Sequence, residues 1–295
     1  MVFRITYFFD FGEKMEKHQV PTVLSIAGFD GSGGAGIQAD TKTISALGGY
    51  AMNVLTALPV QNTQGVRQIY DIPTQAVKEQ LKAIFDDIYP DAIKIGMVHS
   101  VELVRCIHLA LQDYKGTIVF DPVMVSTSGH QLIQEDTIAA CVELLFPRAT
   151  IITPNLDELS VLVNKDIHTV SEMEIAAQQL TRNGAQAVLA KGGHLASSQL
   201  TSLLVQQQMP TKFYHSDRIE TQNTHGSGCT LSSAIATFLA MQDTLDTAVP
   251  KALDYVYAAL LSSKDLQIGK GSGPLNHFHN PQKLHTYALE QSSMD

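Results

Sequence analysis

Residues 22–47 read TVLSIAGFDGSGGAGIQADTKTISAL, and the fold turns on how this stretch is read. TVLSIAG (22–28) is a short apolar run with the character of a buried strand. A glycine-rich turn follows, and from Ala35 to Leu47 the residues Ile37, Ile44 and Leu47 suit one face of a helix. Gly31, Gly33 and Gly36 match G-x-G-x-x-G between strand and helix, which suggests a dinucleotide site. Such a site also needs an acid about 20 residues on to hold the ribose. No Asp or Glu occurs between Thr41 and Tyr70, so that reading fails. Two readings stay open for the turn: a tight strand-to-helix connection, or backbone brought close to a small planar ligand with a helix N-terminus behind it.

The same plan continues outward. AMNVLTALPVQ (51–61) reads as a second strand, with Pro59 marking an edge or an irregular end. AIKIG (92–96), TIVFD (117–121), TIITP (150–154) and AQAVLAK (185–191) read as further strands, and Val104, Ile107 and Leu111 mark a helix among them. Residues 200–222 are strand-like without helices between them, which predicts an antiparallel edge. A last strong helix begins near Gly226, with Leu231, Ala234, Ile235 and Phe238 forming an apolar stripe. Strands alternating with helices predict an α/β protein with a mostly parallel sheet covered on both faces. We expect one domain over 20–285, an extension over 1–19 outside the core, and a tail over 286–295. The start carries Asp10 and Glu13 among its aromatics and lacks the pattern of a signal peptide; Met15 is an alternative first residue.

Composition narrows the function. Of 295 residues 44% are hydrophobic and 17% charged, against about 25% charged in an ordinary soluble domain, so much of the chain is buried. A net charge of -9 argues against a general nucleic-acid binder. Three cysteines without CxxC spacing suit a reducing cytoplasm. No apolar run approaches the roughly 20 residues needed to cross a bilayer. G-x-x-x-x-G-K-[ST] and G-x-S-x-G are both absent, which excludes a P-loop kinase and the usual α/β-hydrolase serine.

In open α/β sheets ligands sit at the carboxyl ends of strands, where Asp30, Gln61, Asp121, Asn155 and Lys191 fall. In THGSGCTLSSAIA (224–236), Gly226, Ser227 and Gly228 lead into a helix whose first N–H groups lack partners, a place for an anion or a transferring phosphoryl group. Cys229 falls in its first turn, where the helix field is expected to lower the thiol pKa. The bland alternative is a glycine turn with a small buried cysteine. In ITPNLDEL (152–159), Asn155 and Glu158 read first as a capping box, and they also suit a hydrated magnesium ion. Asp121 ends a strand and Pro122 turns the chain, so its carboxylate is expected to face the crevice. Lys191 and His194 of KGGH stand near another strand end, where a lysine can meet phosphate. Solvated loop residues are the alternative for all three. His277 and His279 read as surface residues.

Taken together, these stretches resemble the ribokinase-like superfamily, in its branch of hydroxymethylpyrimidine/phosphomethylpyrimidine kinases of thiamine biosynthesis. SIAGFDGSGGAGIQADTKTISALGGY (25–50), LTALPVQNTQGV (55–66), KIGMV (94–98), DPVM (121–124) with SGHQLI (128–133), ITPNLDEL, KGGH, NTHGSGCTLSSAIA (223–236) and GPLNHFH (273–279) occur in the family's order. The resemblance implies a three-layer α/β/α fold, a homodimer, and use of ATP and magnesium on a small molecule rather than on nucleic acid or a membrane. It implies that Gln61 reads the aminopyrimidine edge, with Gly28, Ala35, Met97 and Val123 walling the ring and Asp30 on the same side. It further implies an anion hole at Gly226 and Gly228, with Cys229 where sugar kinases carry Asp. Asn155 and Glu158 match an N-x-x-E motif associated with magnesium and phosphate, and Asp121 an acid near metal and ATP. Pro59, Gly31 and Ser227 depart from the residues common in the family, while PVQNT in place of AQNT keeps Gln61 in register.

The expected reaction is transfer of the ATP γ-phosphoryl to a hydroxymethyl oxygen of an aminopyrimidine, then a second transfer onto the monophosphate, with Cys229 as base. A pyridoxal (vitamin B6) kinase on the same fold is the alternative. A cysteine hydrolase using His225 and Cys229, and a pyrimidine-sensing module without catalysis, are the readings from other classes.

Overall fold

The computed structural model describes residues 18–124, 133–193 and 199–288. From its amino end the chain forms β1 (His18–Gln19), β2 (Thr22–Ala27), α1 (Gly36–Ala46), β3 (Tyr50–Leu55), β4 (Ala57–Asn62), β5 (Gly65–Asp71) and α2 (Thr74–Phe85). There follow β6 (Ala92–Ile95), α3 (Val101–Ala110), β7 (Thr117–Phe120), α4 (Glu135–Leu144), β8 (Ile151–Ile152), α5 (Leu156–Val163) and α6 (Val170–Arg182). β9 (Ala187–Lys191), β10 (Gln199–Gln206), β11 (Lys212–Asp217), α7 (Ser227–Ala240), α8 (Leu245–Ser263) and β12 (Tyr287–Ala288) complete it.

Among the described residues the central sheet has eight strands in the order β11-β10-β9-β8-β7-β6-β2-β3. Pairing is parallel from β3 to β9 and antiparallel at β9–β10 and β10–β11. The edge read from residues 200–222 is therefore the hairpin β10–β11. Because successive strand side chains point to opposite faces, each central strand feeds two cores. Leu24, Ile26, Ile93, Ile95, Ile118 and Phe120 pack on the side that also holds buried residues of α2 to α6. Val23, Ala92, Val119, Ile151 and Leu189 pack on the other, against α7 and α8 and with Ile44 of α1. Three layers result, as the α/β pattern requires. Ser25 and Lys94 occupy places on the second face where an apolar residue is the ordinary choice, and both are fully buried.

The stretch 51–61 is two strands rather than one. Thr56 is the corner: its N–H donates to the Ala27 carbonyl at 3.0 Å and its hydroxyl to the Met97 carbonyl at 2.8 Å. Past that corner β4 leaves the main sheet and pairs with β5, as an antiparallel ribbon. Pro59 sits in this ribbon opposite Ile69, where a missing N–H is tolerated. Residues at the expected boundaries also meet, since His18–Gln19 pairs antiparallel with Tyr287–Ala288.

Leu24 has no exposed surface, whereas Leu109 on α3 is 64% exposed. Leu24→Ala is expected to lower the unfolding free energy by about 2–5 kcal/mol, and Leu109→Ala to change it by less than about 0.5 kcal/mol, in equilibrium urea unfolding. Equal effects would contradict the placement of the core.

Candidate functional site

The two glycine-rich turns touch. Gly36, at φ 55°, opens α1, and a Cβ on it would lie 2.3 Å from the Gly28 carbonyl oxygen. Gly226, at φ 83°, is the N-cap of α7, and a Cβ there would lie 1.8 Å from the Gly34 carbonyl oxygen. Only glycine combines that left-handed backbone with so close an approach. The turn at 28–36 is thus folded directly against the turn at 224–228.

Asp30 fastens them. It is fully buried, and one carboxylate oxygen accepts the N–H and hydroxyl of Ser32 at 2.9 and 2.7 Å. The other accepts the N–H groups of Gly34 and Ala35 at 3.0 and 2.7 Å and faces His225 Nε2 at 2.9 Å. Burial works to raise its pKa, but His225, Ser32 and Ala35 together hold it well below the usual carboxylate range. Asp30 was expected on the ligand side; the structure makes it the internal organiser of the turn, because its oxygens already accept five donors. Lys42 adds a bond from Nζ to the Gly33 carbonyl at 2.7 Å. With His225 directed at Asp30, a His225–Cys229 dyad gains no support from this geometry.

On the ring side, a Cβ on Gly28 would lie 3.3 Å from Met97 Sδ and 3.8 Å from Ala57 Cβ, so these residues form one surface. Gln61 stands where the β4–β5 register shifts, and its Nε2 reaches the Phe29 carbonyl at 3.4 Å. A bulge of this kind re-aims a side chain. Val123 lines a small apolar cavity with Gly96 and Pro122, next in sequence to Met97.

On the other side, Asp121, Asn155, Glu158 and Lys191 come together at the ends of β7, β8 and β9. Asp121 Oδ1 accepts from Thr153 Oγ1 at 2.9 Å and from Lys191 Nζ at 3.1 Å; Oδ2 accepts from Ser232 Oγ at 3.3 Å. Burial alone would raise Asp121, yet Lys191, Lys94 and Thr153 hold it below its ordinary range. Asn155 and Glu158 form the capping box of α5, with bonds of 2.8 and 2.7 Å. Glu158 is buried and pushed up to about 7, first by burial and also by Asp121, against the pull of Lys191. A Cβ on Gly228 would lie 3.4 Å from Lys191 Nζ and 3.5 Å from Asp121 Oδ2, which sets this cluster against the α7 turn. His194 lies outside the described residues.

Two expectations need correction. The Cys229 thiol is not lowered: burial pushes it up to about 11, although Lys94 and the Gly36 N–H pull the other way. His277 is not a surface residue, being 3% exposed with Nε2 at 3.1 Å from Thr230 Oγ1. Burial, with Lys42 and His279, brings its pKa down to about 4. Sequence reasoning also passed over Asp40 and Lys94, both fully buried. The available signal was a lysine inside the otherwise apolar run AIKIG.

A mostly parallel sheet between helices, with two glycine turns meeting over its strand ends, is shared with solved kinases of the ribokinase-like class. The profile of the phosphomethylpyrimidine kinase family matches residues 30–276, and the chain belongs to that family. It is 45% identical over 257 residues to the hydroxymethylpyrimidine/phosphomethylpyrimidine kinase of Rhizobium meliloti, covering 87% of this chain and 96% of that one. The crystal structure of a phosphomethylpyrimidine kinase from Clostridium difficile superposes with a TM-score of 0.72 at 40% identity, covering 81% of this chain and 99% of that one. A pyridoxal kinase from Staphylococcus aureus, in complex with AMP-PCP and pyridoxal, gives a TM-score of 0.81 at 30% identity, covering 88% and 94%.

Gly226→Ala would force a Cβ into the Gly34 backbone. Turnover in that variant is expected to fall by about a hundredfold or more, because the two turns can no longer pack together and reacting groups lose their alignment. Steady-state kinetics showing wild-type turnover would contradict the contact between the two turns.

Proposed function

We propose that this chain uses ATP to phosphorylate the hydroxymethyl group of 4-amino-5-hydroxymethyl-2-methylpyrimidine and then transfers a second phosphoryl group onto the monophosphate, in thiamine biosynthesis. The observation that supports the reading is the Gly34–Gly226 contact, which sets the turn at 28–36 against the turn at 224–228. The names of the relatives agree with it.

Gln61 supplies hydrogen bonds to the ring edge, and Gly28, Ala35, Met97 and Val123 enclose the ring. The turn at Gly226, Ser227 and Gly228 presents backbone N–H groups to the transferring phosphoryl group, where charge spreads over its oxygens. Lys191 adds a cation beside that turn, and with Asn155 and Asp121 it faces the nucleotide phosphates. Cys229 is the base that receives the hydroxyl proton. A loose transition state asks for little early proton removal, so positioning carries much of the rate.

Magnesium fits the residues present. Asp121 and Glu158 are hard oxygen donors, and the upward push on Glu158 from burial and from Asp121 marks a place where a divalent cation relieves unfavourable charge. They would hold the ion, which when bound neutralises phosphate charge. Among the described residues no helix is long and apolar enough to cross a membrane. We place the protein in the cytoplasm, in keeping with its three free cysteines. We further propose a homodimer through the ribbon β4–β5, whose Leu58, Val60 and Tyr70 are 38%, 45% and 58% exposed.

The likeness to the pyridoxal kinase favours one second reading, phosphorylation of pyridoxal in the same crevice. Incubation with Mg-ATP and each alcohol separates them: mass spectrometry is expected to reveal pyrimidine mono- and diphosphate. Pyridoxal phosphate alone would reverse the assignment. Gln61→Ala is expected to weaken pyrimidine binding by about tenfold or more while ATP binding stays within about twofold in calorimetry. Unaltered pyrimidine affinity would remove Gln61 from the pocket.

A further inference from the structure

Gln61 lies past the Thr56 corner, in the ribbon β4–β5, which stands outside the eight-stranded sheet. Sheet register therefore does not set its distance from the turn at 224–228. A two-stranded ribbon is marginal by itself. A ring held by Gln61 serves phosphoryl transfer only where its hydroxymethyl oxygen is aligned with the phosphate. The tip of the ribbon needs support from elsewhere in the chain.

The loop 264–274, which follows α8, reaches it. Both ends of this loop are held beside the phosphate turn. Asn223, 7% exposed, donates from Nδ2 to the Ser263 and Leu266 carbonyls at 2.5 and 2.7 Å. The His225 N–H donates to the Gly273 carbonyl at 3.0 Å, and His225 forms a parallel bridge with Pro274. A Cβ on Gly273 would lie 1.9 Å from Asn223 Oδ1, so the returning chain packs directly on Asn223. The middle of the loop meets the ribbon. The N–H groups of Lys270 and Gly271 both donate to Thr63 Oγ1, each at 3.2 Å. A Cβ on Gly271 would lie 2.0 Å from the Thr63 carbonyl oxygen. Thr63 stands two residues after Gln61, in a tip that the Gln64 N–H closes on Asn62 Oδ1 at 2.9 Å. One loop thus joins the turn before α7 to the turn between β4 and β5.

We propose that Thr63 is a positioning residue: by accepting the two loop N–H groups it fixes the ribbon tip, and with it Gln61, relative to the Gly226 turn. This rests on the reading of Gln61 and of that turn under the proposed function. The hydroxyl oxygen is the operative atom. Valine in its place keeps the shape but offers no acceptor, whereas serine keeps the acceptor. Asp121, Asn155 and Lys191 are held at the other strand ends by bonds of their own. ATP binding is therefore independent of Thr63.

The test is steady-state kinetics of the full chain with hydroxymethylpyrimidine and ATP as varied substrates. Thr63→Val is expected to raise the KM for the pyrimidine by about tenfold and to leave that for ATP within about twofold, while Thr63→Ser stays within about threefold of wild type in both. Gly271→Ala disturbs the same contact from the loop side and is expected to shift the pyrimidine KM in the same direction; it carries the test where Thr63→Val does not fold. Thr63→Val added to Gln61→Ala is expected to cost less than about twofold more, because the two act as one unit. A wild-type pyrimidine KM in Thr63→Val overturns the proposal. So does an equal rise in both KM values, the mark of a generally loosened fold, or a double variant whose two effects multiply in full. Gln61→Ala separates the two levels: an unaltered pyrimidine KM there removes Gln61 from the pocket and this proposal with it. An impaired Gln61→Ala beside a wild-type Thr63→Val overturns the role of Thr63 alone.

Discussion

The site depends on a contact between two backbones. Gly226 and Gly34 pack so closely that a single Cβ at Gly226 cannot be accommodated, and Asp30 holds both turns by binding Ser32, Gly34, Ala35 and His225 at once. A buried carboxylate is expensive unless its lone pairs are used, and here they are. Desolvation, which ordinarily weakens a carboxylate, becomes a reason for the loop to keep one conformation. Two pieces of chain nearly 200 residues apart thus pack directly against each other.

A second constraint fixes the start of α7. Ser232 and Ser233 are neighbours on this helix, yet Ser232 reaches Asp121 and Ser233 reaches Asp40. Each carboxylate is in turn held by a lysine, Lys191 in one case and Lys94 in the other. Helix α7 is thus tied through two serines to two ion pairs, and Cys229 lies in its first turn. Burial pushes the Cys229 thiol up, while Lys94 and the Gly36 N–H pull against it.

Much of this was legible in the residues. The parallel strands, the antiparallel edge and the helix after Gly226 follow from apolar periodicity, which reports burial directly. The capping box of Asn155 and Glu158 was visible in its spacing, and the structure forms it. The corner at Thr56 was not legible, because a chain leaving one sheet for a ribbon keeps its strand-like pattern on both sides of the bend. The roles of Asp30 and Lys94 were hidden for a different reason. Their partners, His225 and Asp40, are distant in sequence, and only the fold reveals that a polar residue in a buried strand has a charge to meet.

The account's central claim is that one crevice holds a flat heterocycle and a migrating phosphoryl group against the same pair of glycine turns. A crystal structure with a non-hydrolysable ATP analogue and hydroxymethylpyrimidine tests it directly. The ring is expected against Gly28 and Gln61, with its hydroxymethyl oxygen toward Cys229 and the terminal phosphate over Gly226–Gly228. Density placing the ring and the phosphate in separate parts of the molecule would contradict the account.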